Sequence, residues 1–140
     1  MKLLILSIVT IMVISTTSCG NKIGREIIGL QNNYRDTIYV LAAWAGMEHV
    51  YPDTALPINR LGMRYVPPGT KGVISETGMG GNWASSFLTL PSDTLSIYLL
   101  DAKILSLYDW SQIRDNYMIL KRFDLSFQDL KSSNYIITYP

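Results

Sequence analysis

Thr37-Ile38-Tyr39-Val40-Leu41-Ala42-Ala43-Trp44 is the stretch that decides the fold. Read with the two-residue period of a strand, Ile38, Val40, Ala42 and Trp44 point one way and Tyr39, Leu41 and Ala43 the other. Both faces are apolar, as expected of a strand covered on both sides and therefore central in its sheet. Upstream, Glu26 to Gln31 is a second β-like segment, and Asn32-Asn33-Tyr34-Arg35-Asp36 between the two is turn chemistry. The pair reads as a hairpin.

Downstream, Gly46 to Pro57 holds His49, Pro52, Asp53 and Pro57 with no periodicity, so a long irregular loop is expected. Tyr65-Val66-Pro67-Pro68-Gly69 predicts a type II turn centred on Pro68 and Gly69, launching a strand from Thr70 to Ser75. A glycine-rich stretch, Gly78-Met79-Gly80-Gly81-Asn82, precedes Trp83 to Leu90. Thr94 to Leu100 alternates Leu95, Ile97 and Leu99 against Ser96, Tyr98 and Leu100, a strong strand. Asp109 with Gln112, and Ser126 with Asp129, carry the spacing of capping boxes, predicting short helices from Trp110 to about Asn116 and from Ser126 to about Ser132. Strands Met118 to Phe123 and Tyr135 to Tyr139 should follow them. The expected fold is mainly β: a small antiparallel β-sandwich, immunoglobulin-like or similar, with two short helices near the C-terminus.

The N-terminus predicts an address. Lys2 is followed by the apolar run Leu3 to Ile14, broken only by Ser7 and Thr10, and then by the small polar residues Ser15 to Ser18. That is the layout of a secretory signal, and the run is shorter than the roughly 20 residues a spanning helix needs. Cys19 is the only cysteine in the chain, and with Thr16, Thr17 and Ser18 before it the segment resembles the lipobox of bacterial lipoproteins, Thr16 standing where leucine is usual. The expected organisation is a signal peptide at 1–18, a lipidated Cys19 with a short tether to Arg25, and one β-rich domain at 26–140. A thioether-linked diacylglycerol on Cys19 plus an acylated amine would hold the protein stably, because two or three chains anchor where one does not. By the same resemblance, Gly20 after the cysteine favours the outer membrane. The absence of an acidic cluster there favours its periplasmic side.

Composition narrows function mainly by exclusion. Beyond residue 18 the chain keeps all the Lys and Arg except Lys2, 11 in number, against 11 Asp and Glu, so nothing electrostatic points to nucleic acid. With Cys19 consumed by lipid the domain has no disulfide, and three Trp, nine Tyr and three Phe supply its core. No motif calls for a cofactor or metal. His49 is the sole histidine, so a structural zinc site lacks ligands. Asp36-Thr37, Asp53-Thr54 and Asp93-Thr94 read as turn residues satisfying backbone groups rather than as a cation site. The glycine-rich stretch has no Lys-Ser or Lys-Thr after it, which excludes a phosphate loop. Asn82, Trp83 and His49 are the candidate binding-loop residues, since an aromatic beside a glycine loop can stack on a sugar or enter a partner. A buried Trp83 closing the sandwich is the plainer alternative.

Asp93 to Tyr98, Tyr108 to Arg114, Ile119 to Leu125, Asp129-Leu130 and Ile136 to Pro140 resemble a group of small lipoproteins of the Bacteroidota without assigned activity, as do Asp36 to Tyr39 and Tyr51 to Pro57. The resemblance implies address and fold type and carries no functional residue. Two functions lead, ahead of an immunity-type protein neutralising a toxin at the envelope, which fits the size and anchor but has no sequence signal of its own. One is a non-catalytic binding or structural envelope lipoprotein, anchored through Cys19 and using loops or an edge strand on a protein or glycan partner. The other is a small periplasmic hydrolase using His49 with Glu48 or Asp53.

Overall fold

The computed structural model describes residues 25–140. Seven strands form two sheets: β1 (Ile27–Asn32), β2 (Ile38–Ala43), β3 (Arg64–Val66), β4 (Lys71–Glu76), β5 (Thr94–Asp101), β6 (Lys121–Ser126) and β7 (Ile136–Tyr139). The three-stranded sheet has the order β4-β1-β7 and the four-stranded sheet the order β3-β2-β5-β6. Four short helices decorate them: α1 (Trp83–Phe87), α2 (Ala102–Leu107), α3 (Trp110–Asp115) and α4 (Phe127–Ser132).

The central-strand reading of Thr37 to Trp44 holds: β2 lies between β3 and β5, and Val40 and Leu41, on opposite faces, are both fully buried. Alternation explains how. Ile38, Val40 and Ala42, with Leu95, Ile97 and Leu99 of β5, face the other sheet and pack with its Ile28, Leu30, Ile74 and Ile137. On the outer face Leu41, Ala43, Tyr98 and Leu100 form a second cluster with Leu56 of the β2–β3 connection and Ile113 of α3. The four-stranded sheet is therefore buried on both sides, which is why β5 has six consecutive buried residues.

Three expectations are corrected. First, β1 and β2 are not a hairpin, since they belong to different sheets and β1 spends its two edges on β4 and β7. The separator does turn the chain, with the Tyr34 amide donating to Asn32 Oδ1 at 2.9 Å. Asn32 itself is buried, however, and its Nδ2 donates to the Val66 carbonyl at 2.9 Å, so the turn crosses from one sheet to the other. Second, the sheets are not wholly antiparallel, because β7 pairs with β1 in parallel. The long excursion through five strands and four helices supplies the crossover that parallel neighbours need. Third, there are four helices among the described residues rather than two. The expected capping boxes at Asp109/Gln112 and Ser126/Asp129 are both formed. The additional helices are capped by Asn82, which accepts from the Ser85 amide at 2.8 Å, and Asp101, which accepts from the Lys103 amide at 2.7 Å.

The turn at Pro67 to Thr70 matches its expectation: Thr70 N donates to the Pro67 carbonyl at 3.3 Å and Gly69 takes φ +70°. It carries the chain from β3 in one sheet to β4 in the other, and the corner closes because Gly72 has no side chain. A Cβ there would stand 2.5 Å from Val66 Cγ2, and Val66 is fully buried with a stiff β-branched side chain. Gly72→Ala is accordingly expected to destabilise the domain by about 1–3 kcal/mol through overpacking. Urea unfolding would check this, and a change under about 0.5 kcal/mol, the range of a neutral surface substitution, would show that the corner is not tight.

Candidate functional site

The longest connection, between β2 and β3, is irregular as expected, yet it is strapped to the outer face of the four-stranded sheet. Tyr98 Oη donates to the Ala55 carbonyl at 3.2 Å, Arg114 Nε to Leu56 O at 3.2 Å, and Trp110 Nε1 to Ile58 O at 2.9 Å and Pro57 O at 3.2 Å. Leu56 plugs the second core cluster from above. Three side chains from β5 and α3 thus hold a segment that has no internal ladder of its own, each satisfying a carbonyl that a strand or helix would otherwise pair.

Beyond the strap the surface opens into a groove. Arg60 and Met63 from the connection, Tyr39 from β2, and Ala102, Leu105 and Ser106 from α2 line a depression of about 470 Å³. Tyr39 faces its cross-strand partner Tyr65 on β3, ring centroids 6.1 Å apart. Large apolar side chains stand in water at positions next to its lining residues: Leu61, beside Arg60 in the chain, is 71% exposed, Tyr65, across the strands from Tyr39, 66%, and Leu107, beside Ser106, 72%. Arg60 makes no ion pair among the described residues. A second depression, lined by Met63, Arg64, Tyr65 and Val73, runs along β3, whose outer edge bears no further strand of its sheet. Single exposed leucines are ordinary, whereas several around a concave surface with aromatic walls and a free cation have the make-up of an interface centre.

The candidate binding-loop residues lie elsewhere and apart. Trp83 is buried at the start of α1, stacked on Trp44 at 5.1 Å with an interplanar angle of 11°, and Trp44 packs edge-on against Phe87. The Trp83 indole Nε1 has no hydrogen-bond partner among the described residues, so the ring is held by stacking and apolar contact alone. Asn82 spends its side-chain oxygen capping α1. Cys19 lies outside the described residues. Neither Asn82 nor Trp83 contributes to the groove, and sequence reasoning singled out none of the residues that do. Tyr39 was legible only as one face of β2; the exposure of Leu61 and Tyr65 depends on how the strapped connection folds back.

His49 does meet Asp53, with Nδ1 2.6 Å from Oδ2. Asp53 Oδ1 accepts the Ala55 amide at 2.9 Å, so the carboxylate knots the loop just before the strap. No serine hydroxyl among the described residues is hydrogen-bonded to His49, and Glu48 is exposed beside it without joining the pair. Among the described residues no group of three or more His, Cys, Asp or Glu could hold a metal ion, and no helix is long and apolar enough to cross a membrane.

The Ala55 amide first, and His49 second, hold the Asp53 carboxyl below its ordinary value of 3.8. A folded pKa below the unfolded one means that the carboxylate's contribution is complete above the ordinary carboxylate range and is lost as pH falls through the lower folded value. The Asp53 contacts to His49 and the Ala55 amide should therefore persist on acidification to about pH 4 and be lost only below. An NMR titration of the Ala55 amide would read this directly, and a midpoint at or above 3.8 would contradict the knot.

No protein-family model, curated protein or solved structure matches this chain.

Proposed function

We propose that the chain is a lipoprotein anchored by acyl chains on Cys19, at the outer membrane and facing the periplasm, whose domain binds a protein partner without catalysis. The observation that carries the binding half is the groove between α2 and the β2–β3 connection, lined by Tyr39 and Arg60, with Tyr65 paired to Tyr39 across the strands and the exposed Leu61 next to Arg60 in the chain. Aromatic and arginine side chains around a desolvated centre are where binding energy concentrates. The adjoining β3 is an edge strand of its sheet with a depression along it, the kind of place where backbone pairing with an extended segment would give affinity and side pockets specificity. A protein segment uses both features, and a glycan uses only the aromatic wall. The anchor half rests on the signal-like run to Ser18 and the position of Cys19. We read the two sheets closing on one core as a sandwich, immunoglobulin-like or similar.

The second reading, a small hydrolase, is favoured by the 2.6 Å contact between His49 and Asp53, which orients an imidazole as a general base would be oriented. It still needs a group for that base to activate.

One experiment separates the two. A photo-crosslinker placed at Leu61 in the full chain in intact envelopes should capture a discrete partner that one at the exposed Lys131 on α4 does not. Tyr39→Ala and Arg60→Glu should each reduce that capture roughly tenfold or more, as loss of a hot spot does. His49→Ala should leave it unchanged. Capture that is insensitive to Tyr39 and Arg60, together with a turnover abolished by His49→Ala, would favour the hydrolase. Cys19→Ser should release the protein into the soluble periplasmic fraction, and unchanged partitioning would remove the anchor.

A further inference from the structure

The two ends of the sandwich differ in what they expose. At the end where the chain enters, Glu26 is held three times: its amide donates to Thr77 Oγ1 at 2.9 Å, its carbonyl accepts the Thr77 amide at 2.9 Å, and its Oε2 accepts the Trp83 amide at 2.8 Å. The segment between those anchor points, Gly78 to Asn82, is therefore pinned beside the point of entry. It contains a tight turn, with Gly81 N donating to the Gly78 carbonyl at 3.0 Å and Gly80 at φ +74°, the value taken by the third residue of a type II turn. Met79 is the only side chain beyond Cα between Gly78 and Gly81, and it stands 79% exposed at the tip. Ile27, the first residue of β1 and 47% exposed, lies at the same end, paired across β1–β4 with Glu76. Glycines that contribute only backbone thus hold an unbranched apolar side chain out into water.

Cys19 precedes Glu26 by seven residues, a reach of at most about 25 Å fully extended. Whatever surface holds that cysteine lies within that reach of this end of the domain. Resting on the anchor reading above, we propose that Met79 and Ile27 enter the interfacial layer of the bilayer that carries the Cys19 acyl chains, making a second, non-covalent membrane contact. A weak apolar contact suffices, because the tether makes its insertion intramolecular and raises the effective concentration of lipid around it. The consequence is orientation. Strand β1 runs from Ile27 away from the tether to Asn32, which is bonded to Val66 and Asp36, so Tyr39, Tyr65 and the groove fall toward the far end. Seating Met79 in lipid would turn the groove outward.

The test is made on the full acylated chain, reconstituted in vesicles of phosphatidylethanolamine and phosphatidylglycerol. Met79→Cys carries an environment-sensitive fluorophore, and Arg35→Cys at the opposite end carries the same fluorophore in a second sample. Mass spectrometry first establishes acylation of Cys19. The expected result is a blue-shifted emission at position 79, quenched several-fold more by lipids bearing a nitroxide near the headgroup than emission at position 35. Acylated Cys19 with equal, water-like emission from both positions would overturn the membrane contact while leaving the anchor standing. An unmodified Cys19 would overturn the anchor, and this proposal with it.

Discussion

The carboxamide of Asn32 is the constraint on which the arrangement of the two sheets depends. It sits fully buried at the last residue of β1, and every polar atom it owns is used. Its Nδ2 donates to the carbonyls of Asp36 and Val66, and its Oδ1 accepts from Tyr34. Its main chain bonds to Gly69 and Thr70 in the turn that starts β4. One residue therefore ties the entry to β2 and the end of β3 through its side chain, and the beginning of β4 through its main chain, to the end of β1. A buried donor or acceptor left unmade costs about 1–3 kcal/mol, so satisfied networks of this kind specify a single arrangement more strongly than apolar packing does.

From that knot the division of labour follows. Because the chain crosses at Asn32 rather than folding back on itself, β2 goes to the interior of the second sheet and needs cover on both faces. One face is covered by the opposing sheet. The other is covered by α2, α3 and the β2–β3 connection, which Tyr98, Trp110 and Arg114 hold down by its carbonyls. The cover is incomplete at its edge, and the gap is the groove beside Tyr39. The site and the fold thus share a cause: a central strand whose outer face is roofed by two short helices and irregular chain rather than by a third sheet.

Much of this was legible in the sequence where the physics is local. The doubly apolar run at Thr37 to Trp44, the alternation at Thr94 to Leu100, the Pro68-Gly69 turn and both capping boxes depend on neighbours within a few residues, and each appears as expected. The illegible parts depend on distant partners. Asn32 to Asp36 carries turn chemistry and does turn, but the acceptor that decides its direction, Val66, lies 34 residues away. Strand β3 is three residues long between a loop and Pro67, too short for any period to show. Helices α1 and α2 have their signals in Asn82 and Asp101, but locally these residues look like the end of a glycine-rich loop and the residue after a strand. The groove was hidden because nothing marks Arg60, Met63 or Leu105 until α2 and the strapped connection place them around one depression.

The most direct measurement is the unfolding free energy of Asn32→Asp at neutral pH, beside the unsubstituted protein. Aspartate keeps the size and the acceptor for Tyr34 but turns a carboxylate toward the carbonyls of Val66 and Asp36, so one buried and one half-buried acceptor lose their donors and a charge is buried in place of a neutral amide. A loss of about 3 kcal/mol or more is the expected result. A loss under about 1 kcal/mol would mean that packing alone arranges the sheets and that Asn32 does not order them.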